Sequence, residues 1–263
     1  MLVSIIWEVN RIAFTIPILG RDIAWYSLLF ITGLWLGYFH FRKVFSLENI
    51  SVEYAQKVWL YGCIWTLIGA RLGEILFYDP QKYFEDPSQI IRIWEGGLSS
   101  HGATFALFVF VWWFATKTMQ KPFFWLGDRL VSGIAAGAAC VRFGNLANSE
   151  IIGTPTSLPW GFVFKLHDNI VRHPVVLYEG IVYVILSFVL YLFFIKNHKT
   201  MKDGYVAGLF LVGMFGTRFF LEFMKENNST LTEGFPLTMG QVLSLPLFLF
   251  GIYLVGLRKV SQR

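Results

Sequence analysis

Residues 142–153, RFGNLANSEIIG, bring an arginine (Arg142), two asparagines (Asn145 and Asn148) and a carboxylate (Glu150) to the end of an apolar stretch. The run just before them, SGIAAGAAC at 132–140, reads as a membrane helix. Ionisable groups at that depth are expensive unless they face the protein interior or a wet cavity. Two more arginines stand inside apolar runs. Arg71 has Glu74 at i+3 and Arg218 has Glu222 at i+4, so each pair can share a helix face. For one pair alone, an internal ion pair explains the residues equally well. Three arginines with few carboxylates point instead to an anion, and phosphate suits the forked donors of a guanidinium.

Residues 95–103, EGGLSSHGA, form a glycine-rich turn that includes Gly97 and leads into a helix with His101 at the junction. Exposed amides and a helix N-terminus at such a turn favour an anion. Gly133-x-x-x-Gly137 permits close helix packing. The weak alternation at 160–166 predicts a short strand in a small external cap.

These residues must be positioned by membrane helices. The chain of 263 residues is 55% hydrophobic, 18% aromatic and 15% charged, whereas soluble domains are nearer a quarter charged. Apolar runs cover 23–41, 58–77, 101–116, 130–148, 175–195, 205–224 and 238–257, and a span takes roughly 20 residues. The expectation is an all-α polytopic membrane protein of about seven helices, the third being the shortest. Residues 1–20 carry Glu8 and Arg11 within an apolar stretch and lack a basic start and a small-residue cleavage site. They read as an amphipathic segment on the membrane, not a signal peptide. Cys63 and Cys140 fall in spans and read as small buried hydrophobes.

Of the 22 lysines and arginines, twelve fall in one set of alternate loops and eight in the other, with Arg71 and Arg218 inside spans. The richer side is expected to be cytoplasmic, placing the N-terminus outside and the C-terminus inside. Arg71 and Arg218 then each lie thirteen residues into their spans, about 20 Å up. Tyr26 and His101 sit at outer helix starts, and Arg142 to Glu150 at an outer end. The polar groups thus share the outer leaflet. The net charge of +5 belongs mainly to loops near anionic lipid, and no charge block points to nucleic acid. A transporter or flippase for an anionic lipid stays open on these features. It lacks an internal repeat, and its ionisable groups are not at the midplane.

The stretches GGLSSHGA, RFGNLANSEIIG, RHPVVLYE and RFFLEF resemble the motifs of the bacterial prolipoprotein diacylglyceryl transferase family. Tyr26 in AWYSLLF, the stretch GARLGEILFY, and Met239-Gly240-Gln241 fit too, in the same order, from about residue 22 to the last span. Departures stand at Val141 (usually glycine), Ser100, Ala103 and Val175-Val176, and bear on packing more than chemistry. The resemblance implies one transmembrane catalytic domain, 1–263, with a periplasmic head at 142–174, in the bacterial inner membrane. It implies transfer of diacylglyceryl from phosphatidylglycerol to the lipobox cysteine of a prolipoprotein signal peptide, releasing glycerol-1-phosphate. The partners are those two substrates and membrane lipid. His101 becomes the expected thiol base, since imidazole titrates near about 6.5 and a thiol near about 8.5. An arginine that lowers the thiol pKa is the alternative. Arg142 and Arg218 are the expected catalytic phosphate ligands, oriented by Glu150 and Glu222. Tyr26, Arg71 and Gly97 are expected to serve substrate binding. Asn145 and Asn148 would bond the glycerol hydroxyls or tie down their loop. Gly153 would allow a turn that a side chain blocks. No metal and no cofactor are expected.

Overall fold

In lipid every backbone polar group must be satisfied within the chain, and long apolar runs do this as helices. The structure, a computed structural model, describes residues 4–18, 20–77, 79–92, 97–226 and 237–257. Its helices are α1 (Trp25–Leu47), α2 (Val52–Phe77), α3 (Pro80–Glu85), α4 (Ser100–Trp113), α5 (Phe123–Ala147), α6 (Val175–Asn197), α7 (Tyr205–Leu221) and α8 (Met239–Leu257). Among the described residues, five stretches are long and apolar enough to cross a membrane: α2, α5, α6, α7 with its following turn to Met224, and α8. The chain is a polytopic membrane protein. The expected first and third spans are helical but lie outside those five. Tyr26, Tyr38, His40, Arg42 and Lys43 dilute the apolar run of α1. Helix α4 has only 14 residues and continues as a π-helical turn, Phe114–Thr118.

Two small sheets amend the expected all-α class. The N-terminal segment, expected to be amphipathic, forms strands β1 (Ile5–Trp7), β2 (Ile12–Ile16) and β3 (Arg21–Ala24), and the expected strand at 160–166 is β4 (Phe162–Phe164). Strand β5 is Val171–Arg172. The order is β1-β4-β5, with β1 parallel to β4 (Ile5 opposite Phe162) and β4 antiparallel to β5. Strands β2 and β3 make a separate hairpin.

The chain divides into two compact units, Phe41–Arg129 and the combination of Met1–His40 with Leu130–Arg263. In the first, glycines let α2 and α4 touch. A Cβ on Gly73 would come 2.7 Å from the Cα of Gly102, and one on Gly69 would collide with Ala106. Ser99 donates its amide to the Ala70 carbonyl at 2.9 Å, and its hydroxyl caps α4 by accepting from the Gly102 amide at 3.2 Å. Arg129 donates to Glu48 through Nε and Nη2 at 2.5 and 2.6 Å, with its guanidinium 3.6 Å from the Trp125 ring.

In the second unit, α1 meets α5 where a Cβ on Gly33 would lie 3.1 Å from the Gly137 Cα, as the glycine spacing of that span suggested. Helix α8 opens with a capping box. Gln241 donates its amide to the Thr238 hydroxyl at 3.3 Å, and its side chain accepts from the Thr238 amide at 3.0 Å. A small core of Leu146, Phe162, Phe164 and Val176, with Trp7, Ile152 and Leu177 against it, joins the three-stranded sheet to the end of α5 and the start of α6. Those two helix ends carry the polar groups of interest.

Candidate active site

The unit that contains α5 to α8 gathers most of the residues singled out above. Arg142, near the end of α5, reaches Glu179 in the first turns of α6, with Nε 2.8 Å from Oε2. The other oxygen of Glu179 lies 2.8 Å from Lys225 Nζ, and that ammonium lies 2.9 Å from Glu222. The Glu179 side chain has no solvent exposure. A charge buried so completely is tolerable only when paired and hydrogen-bonded, and here one carboxylate serves two cations. The charges of Glu179, Arg142 and Arg218 all act on the buried Tyr183 hydroxyl.

Arg142 Nη1 also donates to Asn145 Oδ1 at 3.4 Å. Asn145 and Asn148 donate in turn to the two oxygens of Glu150, at 2.7 and 3.1 Å. Both amides therefore tie down their loop. Ser149 and Ile151, on either side of Glu150, have φ of 55°. Left-handed backbone at a β-branched residue is unfavourable, so those side-chain bonds hold a strained loop in place. Tyr26 packs its ring on Gly144, where an added Cβ would lie 2.8 Å from Cδ2. Arg142 and Glu150 both act on its hydroxyl.

What joins the end of α5 to the end of α7 is main chain. Thr154 donates its amide to Met224 O at 2.8 Å, Glu226 donates to Ile152 O at 3.1 Å, and Gly153 pairs with Lys225 in an antiparallel bridge. Gly153 has no room here for a side chain. It lies outside the positive-φ set, and its Cβ would come 2.7 Å from that of His173. Arg172 locks the same junction, donating to Gly153 O at 3.1 Å, to Asp168 through Nε and Nη2 at 2.9 and 2.7 Å, and to Glu226 at 3.3 Å.

The result is a cavity of about 490 Å³ whose lining includes Arg142, Arg218, Lys225, His167, Glu222 and Gly240. Arg142 and Arg218 are thus brought together as their types suggested. The expected carboxylate partners differ. Glu179, not Glu150, holds Arg142 directly, and Glu222 pairs with Lys225, leaving Arg218 with no hydrogen bond or ion pair among the described residues. A Cβ on Gly240 would collide with the Glu222 carboxylate, so glycine at the start of α8 makes room for it. Cationic groups converging on a cavity with one guanidinium unspent suit a phosphate or phosphodiester.

Arg71, Gly97 and His101 belong to the other unit. Arg71 is buried, and its guanidinium donates to main-chain carbonyls: Ile90 at 3.0 Å, Gly97 at 2.7 Å, Arg92 at 3.4 Å, and Gln89. It also stacks 4.8 Å from the centre of the Tyr83 ring. Gly97 has a φ of 72°, and a Cβ there would lie 2.9 Å from Arg71 Nη1. Gly96, the other half of the Gly-Gly turn, lies outside the described residues. His101 sits exposed in the first turn of α4, fixed to α2 through the Ser99 cap and the glycine seam.

Two residues escaped the sequence reading, Glu179 and Lys225. The signal for Glu179 was present: it is the one carboxylate in the apolar helix α6, and such residues are functional candidates by default. The substituted pair Val175-Val176 is fully buried in the core, which agrees with a packing role.

Comparison with known proteins adds an independent line. A family model described as prolipoprotein diacylglyceryl transferase matches residues 11–257. A phosphatidylglycerol–prolipoprotein diacylglyceryl transferase of Tolumonas auensis is 39% identical over 231 residues, covering 88% of this chain and 89% of the relative. Proteins of the same description from Porphyromonas gingivalis and Chlamydia pneumoniae are 36% and 34% identical, covering 95% and 98% of this chain and 93% and 97% of the relatives.

The Arg172 clamp gives the three-stranded sheet a pH dependence. The hydrogen bond from Arg172, then the backbone amide of Ile170, hold the Asp168 carboxyl below its ordinary value of 3.8. Its stabilising contribution is therefore complete above that value and fades as pH falls through the lower, folded-state pKa. Amide exchange at Val163 and Val171 should speed up on acidification in that range, and Asp168→Asn should flatten the response.

Proposed function

The chain belongs to the prolipoprotein diacylglyceryl transferase family and transfers a diacylglyceryl group from phosphatidylglycerol to a prolipoprotein, the first step of lipoprotein maturation; on that premise we propose that the Arg142–Arg218 cavity receives the phosphodiester. The observation that carries this is the convergence of those two guanidiniums from α5 and α7 on one cavity, with Arg218 unpaired among the described residues. Family membership disfavours the flippase alternative.

The acceptor is the thiol of a lipobox cysteine in the signal peptide. His101 takes the thiol proton, and the sulfur bonds to the glycerol carbon as the C–O bond to phosphate breaks. The electron pair of that bond stays on the departing oxygen, and glycerol-1-phosphate leaves with a second negative charge. Arg142 and Arg218 bind the phosphate and stabilise that developing charge. Tyr26 supports the headgroup, and Asn145, Asn148, Glu150 and Gly153 keep the loop below Arg142 in shape. Glu222 acts on the phosphate site through Lys225. Arg71 and Gly97 serve substrate binding indirectly, by holding the segment that leads to His101.

The chain acts as a single catalytic domain, 1–263, with 142–174 as a periplasmic head. It spans the bacterial inner membrane seven times when α1 and the α4–π-helical segment are included. The lysine and arginine distribution supports a periplasmic N-terminus and a cytoplasmic C-terminus. Membrane lipid surrounds the spans.

Purified protein given phosphatidylglycerol and a lipobox peptide should release glycerol phosphate together with a diacylglyceryl mass gain on the peptide. A Cys→Ser peptide should give neither. His101→Ala should abolish transfer in a folded protein, and normal turnover there would remove His101 from the mechanism. Arg142→Lys should be strongly impaired although its charge is kept, because lysine lacks the bidentate fork. A single cysteine placed at Lys199 should react with an impermeant reagent only from the cytoplasmic side, and periplasmic labelling would invert the topology.

A further inference from the structure

Glu179 stands outside the reaction steps above, yet it is the most completely buried charge of the site. Its two oxygens are spent on two cations that both line the cavity: Arg142 on one side and Lys225 on the other, at 2.8 Å each. Stability alone is a poor reason for such a group, because replacing buried ion pairs with apolar residues is often neutral or stabilising. The geometry supplies a better one. Arg142 has five N–H donors, of which Nε is held by Glu179 and Nη1 by Asn145. An ion pair at one nitrogen and a hydrogen bond at another restrain the orientation of the guanidinium. Lys225 is restrained in the same way, by ion pairs to Glu179 and Glu222.

We propose that Glu179 is a positioning residue: it aligns Arg142 and sets Lys225 beside it as a third cation for the phosphate group, so that both are in place before substrate arrives. The inference rests on the reading of the cavity as the phosphodiester site. Preorganised charge stabilises a transition state without reorganisation at the moment of reaction. Losing the alignment therefore costs turnover more than ground-state affinity. Glu179→Gln in fact leaves two cations without their shared counter-charge, which favours an anion in the cavity.

The test uses the full-length protein in detergent with phosphatidylglycerol and a lipobox peptide, measuring kcat per folded molecule and inhibition by glycerol phosphate. Glu179→Gln should lower kcat on the order of 10- to 100-fold, while glycerol phosphate inhibits at least as well as in the wild type. Glu179→Asp, charged but one methylene shorter, should recover part of the lost turnover with an unfolding midpoint near that of the wild type. Wild-type kcat per folded Glu179→Gln molecule would overturn the proposal, as would weakened inhibition by glycerol phosphate. If Glu179→Gln does not fold, wild-type kcat in Glu179→Asp overturns it instead, and reduced kcat with intact inhibition supports it. Absence of thioether product from the wild type would sink the cavity reading itself, a separate outcome.

Discussion

A buried charge has to be answered by another, and that requirement organises the unit containing the cavity. Arg142, Glu179, Lys225 and Glu222 form an alternating row of cation and anion across the ends of α5, α6 and α7. Removing any member would strand its neighbour in a low-dielectric interior, where an unpaired charge is far costlier than the pair. The three helix ends are therefore bound to one another electrostatically as well as by packing. Arg218 lines the same cavity and, among the described residues, takes no part in the row.

Main-chain pairing sets the frame in which that row can form. Residues 152–154 run alongside 224–226, so the loop after α5 and the segment after α7 approach each other at hydrogen-bonding distance. Arg172 clamps the junction from the small sheet, and the sheet itself is seated by Trp7, whose indole donates to Leu146 O at 3.0 Å. Backbone at φ of 55° on each side of Glu150 costs on the order of 1–3 kcal/mol per residue. The loop can hold that strain because Asn145, Asn148 and the Gly153 junction over-determine its path.

Much of this was legible in the chain, and most of what was not lies between distant segments. Residue type and helical depth were enough to set Arg142 and Arg218 together, and alternation was enough to find β4. Local spacing was less dependable for partners. The i,i+4 relation of Arg218 and Glu222 permits a pair, but Lys225, presented by the turn after α7, takes the carboxylate instead. Arg142 finds its counter-charge 37 residues away, on a different helix. Strand β1 is similarly opaque, because its hydrogen-bonding partner is Phe162–Phe164. The last two are contacts between distant segments, which periodicity along one segment cannot report, whereas Glu222 had two local cations to choose from. At Gly153 the obstacle to a side chain is again a neighbour in space, His173, twenty residues on in the chain.

Arg71 illustrates another kind of economy. It donates to carbonyl oxygens of Gln89, Ile90, Arg92 and Gly97, and every amino acid has a carbonyl. Those four bonds therefore do not depend on which side chains Gln89, Ile90 and Arg92 carry. A substitution at Gln89, Ile90 or Arg92 leaves those acceptors in place, whereas Arg71 supplies the donors and Gly97 the room that admits them.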